Sequence, residues 1–337
     1  MVFLNHYYLF GFPSHKLLQT SFVLDWIANA GLAVMLFITI SGYLSWKTSK
    51  RVNDNFLYLN RYVLKKYLRF AIPFGFAFII LYISYFFGTY DYFEPVFRQS
   101  MICQRGGGNP IFHVSVVEFI KAVVISPMRN CFWDAPLWMM PIIFYGSIFV
   151  FVVRLITTKM SPSKALIVIL FCSCIIIMFN KLYVGITCGL IMAFLWNKIE
   201  KTKDRLQNKP TCRFFLIVIL LIITYLLNVC LHFNHEIRHT LVSAFIILAA
   251  YYSSIFTKVL ESCIAQFLGR ISFSIYIWHF PVLCSFSSYL CYLTNYNFGI
   301  VLPISFAAVI LVSTISQRYI EKYSRKLQYK IEAFLYQ

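Results

Sequence analysis

The chain has 337 residues, 60% of them hydrophobic and 12% charged, with a mean hydropathy of +0.72. That balance excludes an ordinary soluble globule and predicts an all-α, polytopic integral membrane helical bundle forming one membrane domain over residues 1–337. The net charge of +18 invites a nucleic-acid reading, but the basic residues cluster between apolar runs, so they read as topology signals and no nucleic-acid partner is expected.

The apolar runs cover residues 22–44, 70–87, 137–153, 165–180, 182–196, 214–231, 240–256, 267–293 and 300–320, with a shorter fragment at 1–12. Counting the fragment, about ten crossings are expected. If the fragment runs outward, 23 of the 30 basic residues fall in cytoplasmic segments, and both termini face the cytoplasm.

In chain order, MVFLNHYYLFGFP is too short to span hydrocarbon, which needs about 20 residues. It reads as the outer half of a first helix. The chain as written is therefore expected to be impaired, with its true start upstream. The next run ends FITISGYL, residues 37–44, where Ser41 and Gly42 are small enough to let another helix approach closely. In NRYVLKKYLRFAIP, residues 60–73, Lys65 and Arg69 are four apart and Lys66 and Arg69 three apart. They make a compact cationic face with Arg61 nearby, either a plain inner-leaflet anchor or a phosphate site.

Residues 88–136 form the longest exterior segment. Gly106 to Pro110 read as a turn, and residues 116–125 as a short interfacial helix. Cys103 and Cys131 are the two cysteines there, and an oxidising exterior would let them pair. In HFNHEIRH, residues 232–239, His232, His235 and His239 have spacings that a metal site would use. No cysteine or second acid accompanies them, so a solvated cap is the preferred reading and no metal is expected. In FLGRISFSIYIWHFPV, residues 267–282, helical spacing puts Ser272, Tyr276 and His279 on one face of an otherwise apolar helix. A histidine in hydrocarbon is costly unless a partner or cavity meets it, so His279 marks either a helix–helix hydrogen bond or a site lining.

LGRISFSIYIWHFPV resembles the late-helix signature of the acyltransferase-3 family, membrane proteins that acylate sugars and other hydroxyl acceptors. The resemblance continues in family order through most of the chain. MVFLNHYYLF is similar to the family's first-helix pattern, which makes His6 the catalytic candidate. FITISGYL is similar to its Phe-Phe-x-x-Ser-Gly-Phe-Leu. Lys66 and Arg69 match its Arg-x-x-Arg, with a lysine in the first place. PLWMMPIIFYGSIFVF, residues 136–151, agrees at Trp138, Phe144, Tyr145, Gly146 and Ser147. Met35 and Ile143 stand where many members carry an acid.

The resemblance implies an O-acetyltransferase with acetyl-CoA as donor and no tightly bound cofactor. The implied acceptor is a lipid-linked or surface polysaccharide, such as a lipopolysaccharide O-antigen, and the location is a bacterial inner membrane. Acyl transfer to a hydroxyl needs a base, cations for the donor's phosphates and a hydrogen-bond donor for the oxyanion. His6 is expected to be the base, and Lys66 and Arg69, with Arg61, the phosphate site. Tyr276 or His279 is expected to stabilise the oxyanion. The alternative is a polysaccharide polymerase or flippase, using exterior arginines such as Arg98, Arg105 and Arg129, or a transporter.

Overall fold

The structure is a computed structural model that describes residues 3–4, 29–49, 57–86, 116–129, 135–207, 210–229, 234–295 and 297–335. Among them 92% are helical and none lies in a strand. His6, Cys103, Cys131 and His232 lie outside the described residues. The helices are α1 (Ala30–Ser49), α2 (Leu57–Phe86), α3 (Val116–Ile125), α4 (Met140–Thr157) and α5 (Pro162–Phe179). They continue with α6 (Tyr183–Phe194), α7 (Trp196–Gln207), α8 (Pro210–Val229), α9 (His235–Tyr252) and α10 (Ser254–Leu260). The last are α11 (Cys263–Val282), α12 (Ser288–Leu293), α13 (Phe298–Ser316) and α14 (Lys322–Leu335). A 3-10 turn precedes α4, and π turns over Leu283–Ser287 and Gln317–Glu321 join α11 to α12 and α13 to α14.

Among the described residues, each of the nine full apolar runs is largely helical. Among the described residues, seven helical spans are long and apolar enough to cross a bilayer. The pair α9–α10, bent by 95° at Ser253, makes an eighth if taken as one span, and α6 has only 12 residues. The described residues thus support a polytopic helical bundle without reaching the count of ten. Large apolar side chains are exposed in numbers that water would not tolerate, with Phe171, Met178 and Phe179 on α5 and Phe214, Phe215 and Ile219 on α8. Such surfaces belong against lipid.

The described residues cluster into two compact units that interleave along the chain. One unit holds residues 64–141 and 267–337 together with the start of the chain. Its core is Phe280, Val282, Leu283, Cys284, Cys291, Val301 and Val309, with Phe3 packed among them. The expected helix over 116–125 is present as α3. It docks on α2 through a 3.0 Å hydrogen bond from the Tyr67 hydroxyl to the Val124 carbonyl. Tyr82 and Phe119 add a ring contact at 6.0 Å.

The other unit holds residues 31–63 and 142–266. Here α1 and α6 cross with their backbones nearly touching. A Cβ on Gly42 would run into the Ile186 carbonyl, and one on Gly189 into the Thr39 carbonyl. A Cβ on Gly146 of α4 would meet the Ile186 side chain. The small residues of FITISGYL and FYGS are therefore packing devices of this unit. Met35 and Ile143, where the resemblance offers acids, are buried, and an apolar side chain there avoids an unpaired carboxylate in hydrocarbon.

Candidate active site

In the first unit, α2 and α11 meet the last π turn and α14 around a cavity of about 260 Å³. Lys65 and Arg69 enter from α2, Phe273 from α11, and Glu321, Ser324, Arg325, Gln328 and Tyr329 from the last π turn and α14. Among the described residues, three cations thus face one space that holds a single acid. The Lys65 ammonium lies 5.7 Å from the Tyr329 ring centre and the Arg69 guanidinium 5.9 Å from that of Phe273. These ring faces support the cations without neutralising them. A 3.3 Å hydrogen bond from the Ser324 hydroxyl to the Leu68 carbonyl ties α14 to α2, and the Gln328 amide donates to Ser324 at 3.0 Å.

Glu321 is engaged from behind. The buried Ser274 hydroxyl of α11 donates to its Oε1 at 2.5 Å. Ser316 lies 3.3 Å from the same hydroxyl. A serine has one hydroxyl hydrogen, so with Ser274 donating to the carboxylate, the Ser316 hydroxyl is oriented to donate to Ser274. The wider π turn brings Ser316 and Glu321, five residues apart, onto one side of the helix; π turns of this kind recur at functional sites.

Further along α11, Tyr276 and His279 are buried, at 8% and 1% exposure, with ring centres 5.7 Å apart. His279 Nδ1 lies 2.7 Å from the Tyr276 carbonyl and 3.2 Å from that of Ile275. A ring nitrogen facing carbonyls must carry the hydrogen, so the neutral imidazole keeps its lone pair on Nε2. His279 is six residues beyond Phe273, about 9 Å deeper along the helix. Ser272, expected on the same face, is exposed, and its hydroxyl donates to the Gly269 carbonyl of its own helix at 2.9 Å. The buried serine is Ser274, because the neighbouring element that covers this end of α11 carries Glu321 and Ser316.

Of the expected phosphate ligands, Arg69 lines the cavity and Lys65 stands there rather than Lys66, which is half-buried on α2. Arg61 belongs to the other unit, with its guanidinium 5.3 Å from the Tyr58 ring centre. The sequence reading missed Arg325 and Glu321 as site residues. Both lie in QRYIEKYSRK, whose basic residues serve equally well as inner-leaflet signals. At the other candidate cluster, Arg238 lies 2.9 Å from His235 Nδ1, an unfavourable neighbour for a cation. No group of metal-binding side chains occurs among the described residues.

Residues 1–317 match the acyltransferase-3 family, described as an acyltransferase domain. The protein named O-acetyltransferase OatA from Staphylococcus aureus (strain NCTC 8325 / PS 47) is 25% identical over 352 aligned positions, covering 92% of this chain and 55% of that protein. The protein of the same name from strain COL matches equally. The chain therefore spans about half the length of the curated relatives it matches. No solved structure matches it. The helical membrane architecture and the match along nearly the whole sequence agree: the chain belongs to the acyltransferase-3 family.

Proposed function

We propose that the chain is an O-acyltransferase of the bacterial inner membrane with both termini in the cytoplasm. It moves an acetyl group from acetyl-CoA to a hydroxyl of a lipid-linked or surface polysaccharide, such as an O-antigen. The observation that carries this reading is the cavity where Lys65, Arg69 and Arg325 converge around one acid. It opens at the end of the helices that the charge asymmetry assigns to the cytoplasm, where an acyl-CoA is available. A donor bearing several phosphates needs clustered cations, and arginine adds a planar fork for phosphate oxygens. The names of the relatives, which specify oxygen as acceptor and acetyl as the group moved, support the same reading.

In this reaction His6 takes the proton of the acceptor hydroxyl as its oxygen attacks the thioester carbonyl carbon. The carbon–sulfur bond then breaks, and the leaving thiolate takes the proton back from the imidazolium. The hydroxyl of Tyr276 is the better donor to the oxyanion, because neutral His279 presents a lone pair at Nε2. His279 is then the second base in line. Lys66 and Arg61, on the same helix, are the further cations of this proposal for the donor's phosphates.

The test is equilibrium binding of CoA and of dephospho-CoA, which lacks one phosphate, to the purified chain. CoA should bind more tightly, and Arg69→Ala and Arg325→Ala should shrink the difference. Equal binding of both ligands to the parent chain and to both variants would remove the donor from this cavity.

A further inference from the structure

A second cavity, of about 360 Å³, lies in the other unit, where the ends of α1, α4 and α6 meet the starts of α5 and α7. Its polar lining is Trp46, Arg154, Ser163, Asn197 and Lys198, with apolar side chains including Phe194 completing it. Among the described residues no acidic side chain lines it.

Two of its donors are built in without a partner. Trp46 is only 1% exposed, and its indole Nε1 has no hydrogen-bond acceptor; the buried Nε of Arg154 has none either. A buried donor left unmade is costly, so two of them in one wall point to an acceptor that the site is built to receive. The Arg154 guanidinium stacks 4.8 Å from the Trp46 ring centre, and Phe194 meets the same indole edge-on at 5.9 Å. This stacking fixes the guanidinium in place. Ser163 and Asn197 sit in the first turns of α5 and α7. The site therefore offers two cations, hydrogen-bond donors and an apolar flank.

It lies beside α7, whose sequence WNKIEKTKDRLQ is amphipathic. Ile199 and Leu206 pack on the core of this unit around Leu220, Ala249 and Tyr252. The charge asymmetry assigns this end to the inner leaflet. We infer that this cavity binds a phosphate-bearing anion, and that the phosphate is the headgroup of an anionic phospholipid whose chains run along the apolar flank. The site is distinct from the donor cavity described above and does not depend on that assignment.

The experiment is native mass spectrometry of the full chain, purified in detergent and titrated with phosphatidylglycerol, with phosphatidylcholine and with inorganic phosphate. Phosphatidylglycerol should be retained over phosphatidylcholine. Arg154→Gln and Lys198→Gln should each weaken it by roughly tenfold, the loss of one charge-assisted contact. Trp46→Phe should weaken it while keeping the ring. Lys198 is exposed, so its substitution leaves folding intact. Lys203→Gln, on the same helix but stacked on Tyr251, should change nothing. Binding of inorganic phosphate with the same dependence on Arg154 and Lys198, and no retention of phosphatidylglycerol, would keep the anion site but assign it to a free phosphate. Equal binding of all three probes by the parent chain, Arg154→Gln and Lys198→Gln would overturn the site altogether.

Discussion

Two glycines on apolar helices should respond to alanine with opposite signs. At Gly189 the new methyl would strike the Thr39 carbonyl and lie 2.7 Å from the Tyr43 nitrogen, both backbone atoms of α1. Neither atom can rotate away, and the Thr39 oxygen is the nearer of the two, so α1 and α6 must separate before an ordinary contact is restored. Opening the helices forfeits dispersion energy along the seam, where Met35, Ile38, Gly42 and Ile186 meet. Overpacking of this kind costs about 1–3 kcal/mol, more than alanine's helix propensity returns. At Gly269 a Cβ meets nothing within 4 Å, so the same substitution should be neutral or stabilise by up to about 1 kcal/mol. Thermal unfolding of each variant in detergent reads the difference. Gly189→Ala should melt several degrees below the parent chain, at about 2–4 °C per kcal/mol, and Gly269→Ala at or above it. If Gly189→Ala melts with the parent chain, α1 and α6 are not in backbone contact, and the packing described for this unit is wrong.

Arg69→Ala and Arg325→Ala should raise the apparent KM for the acyl donor by about 10- to 150-fold, the loss of one charged contact, with little change for the acceptor. Steady-state kinetics with both substrates varied would show it, and an effect confined to the acceptor would return the cluster to the role of a membrane anchor. Ser274→Ala removes the donor to Glu321 and should lower the melting temperature through a carboxylate left short of one partner, about 1–3 kcal/mol; an unchanged transition would mean that water replaces the hydroxyl. Tyr276→Phe should lower kcat with KM for the donor nearly unchanged, since an oxyanion contact forms only in the transition state. A change in KM alone would move that role away from Tyr276.

The helices were legible because nine apolar runs leave few other folds, and Gly42 was legible as a close-approach residue because its neighbours are bulky. Three features were not. The helix α2 begins 13 residues before its apolar run, because NRYVLKKYLRF is polar by composition yet helical by propensity and by continuity with the span. The bend at Ser253 turns on a capping hydroxyl that accepts from the Phe256 amide at 3.3 Å, a local bond without a periodicity signal. The site itself needed tertiary contacts. Helical spacing grouped Ser272 with Tyr276 and His279 correctly as a face, but which end of that face is covered depends on a π turn some 45 residues later. The cationic cluster on α2 was visible, whereas its partner Arg325 belonged to a stretch that anchoring alone explains. His6 rests on the resemblance, since it lies outside the described residues.

Acyl transfer to a hydroxyl is the central claim, and one measurement meets it directly. Membranes carrying the chain are incubated with acetyl-CoA labelled in the acetyl group, and the polysaccharide fraction is recovered. The account predicts label on carbohydrate that mild alkali releases as acetate, as an ester requires, and its loss in His6→Ala present at the same membrane level. Label that never leaves acetyl-CoA, or transfer undiminished in His6→Ala, would contradict it.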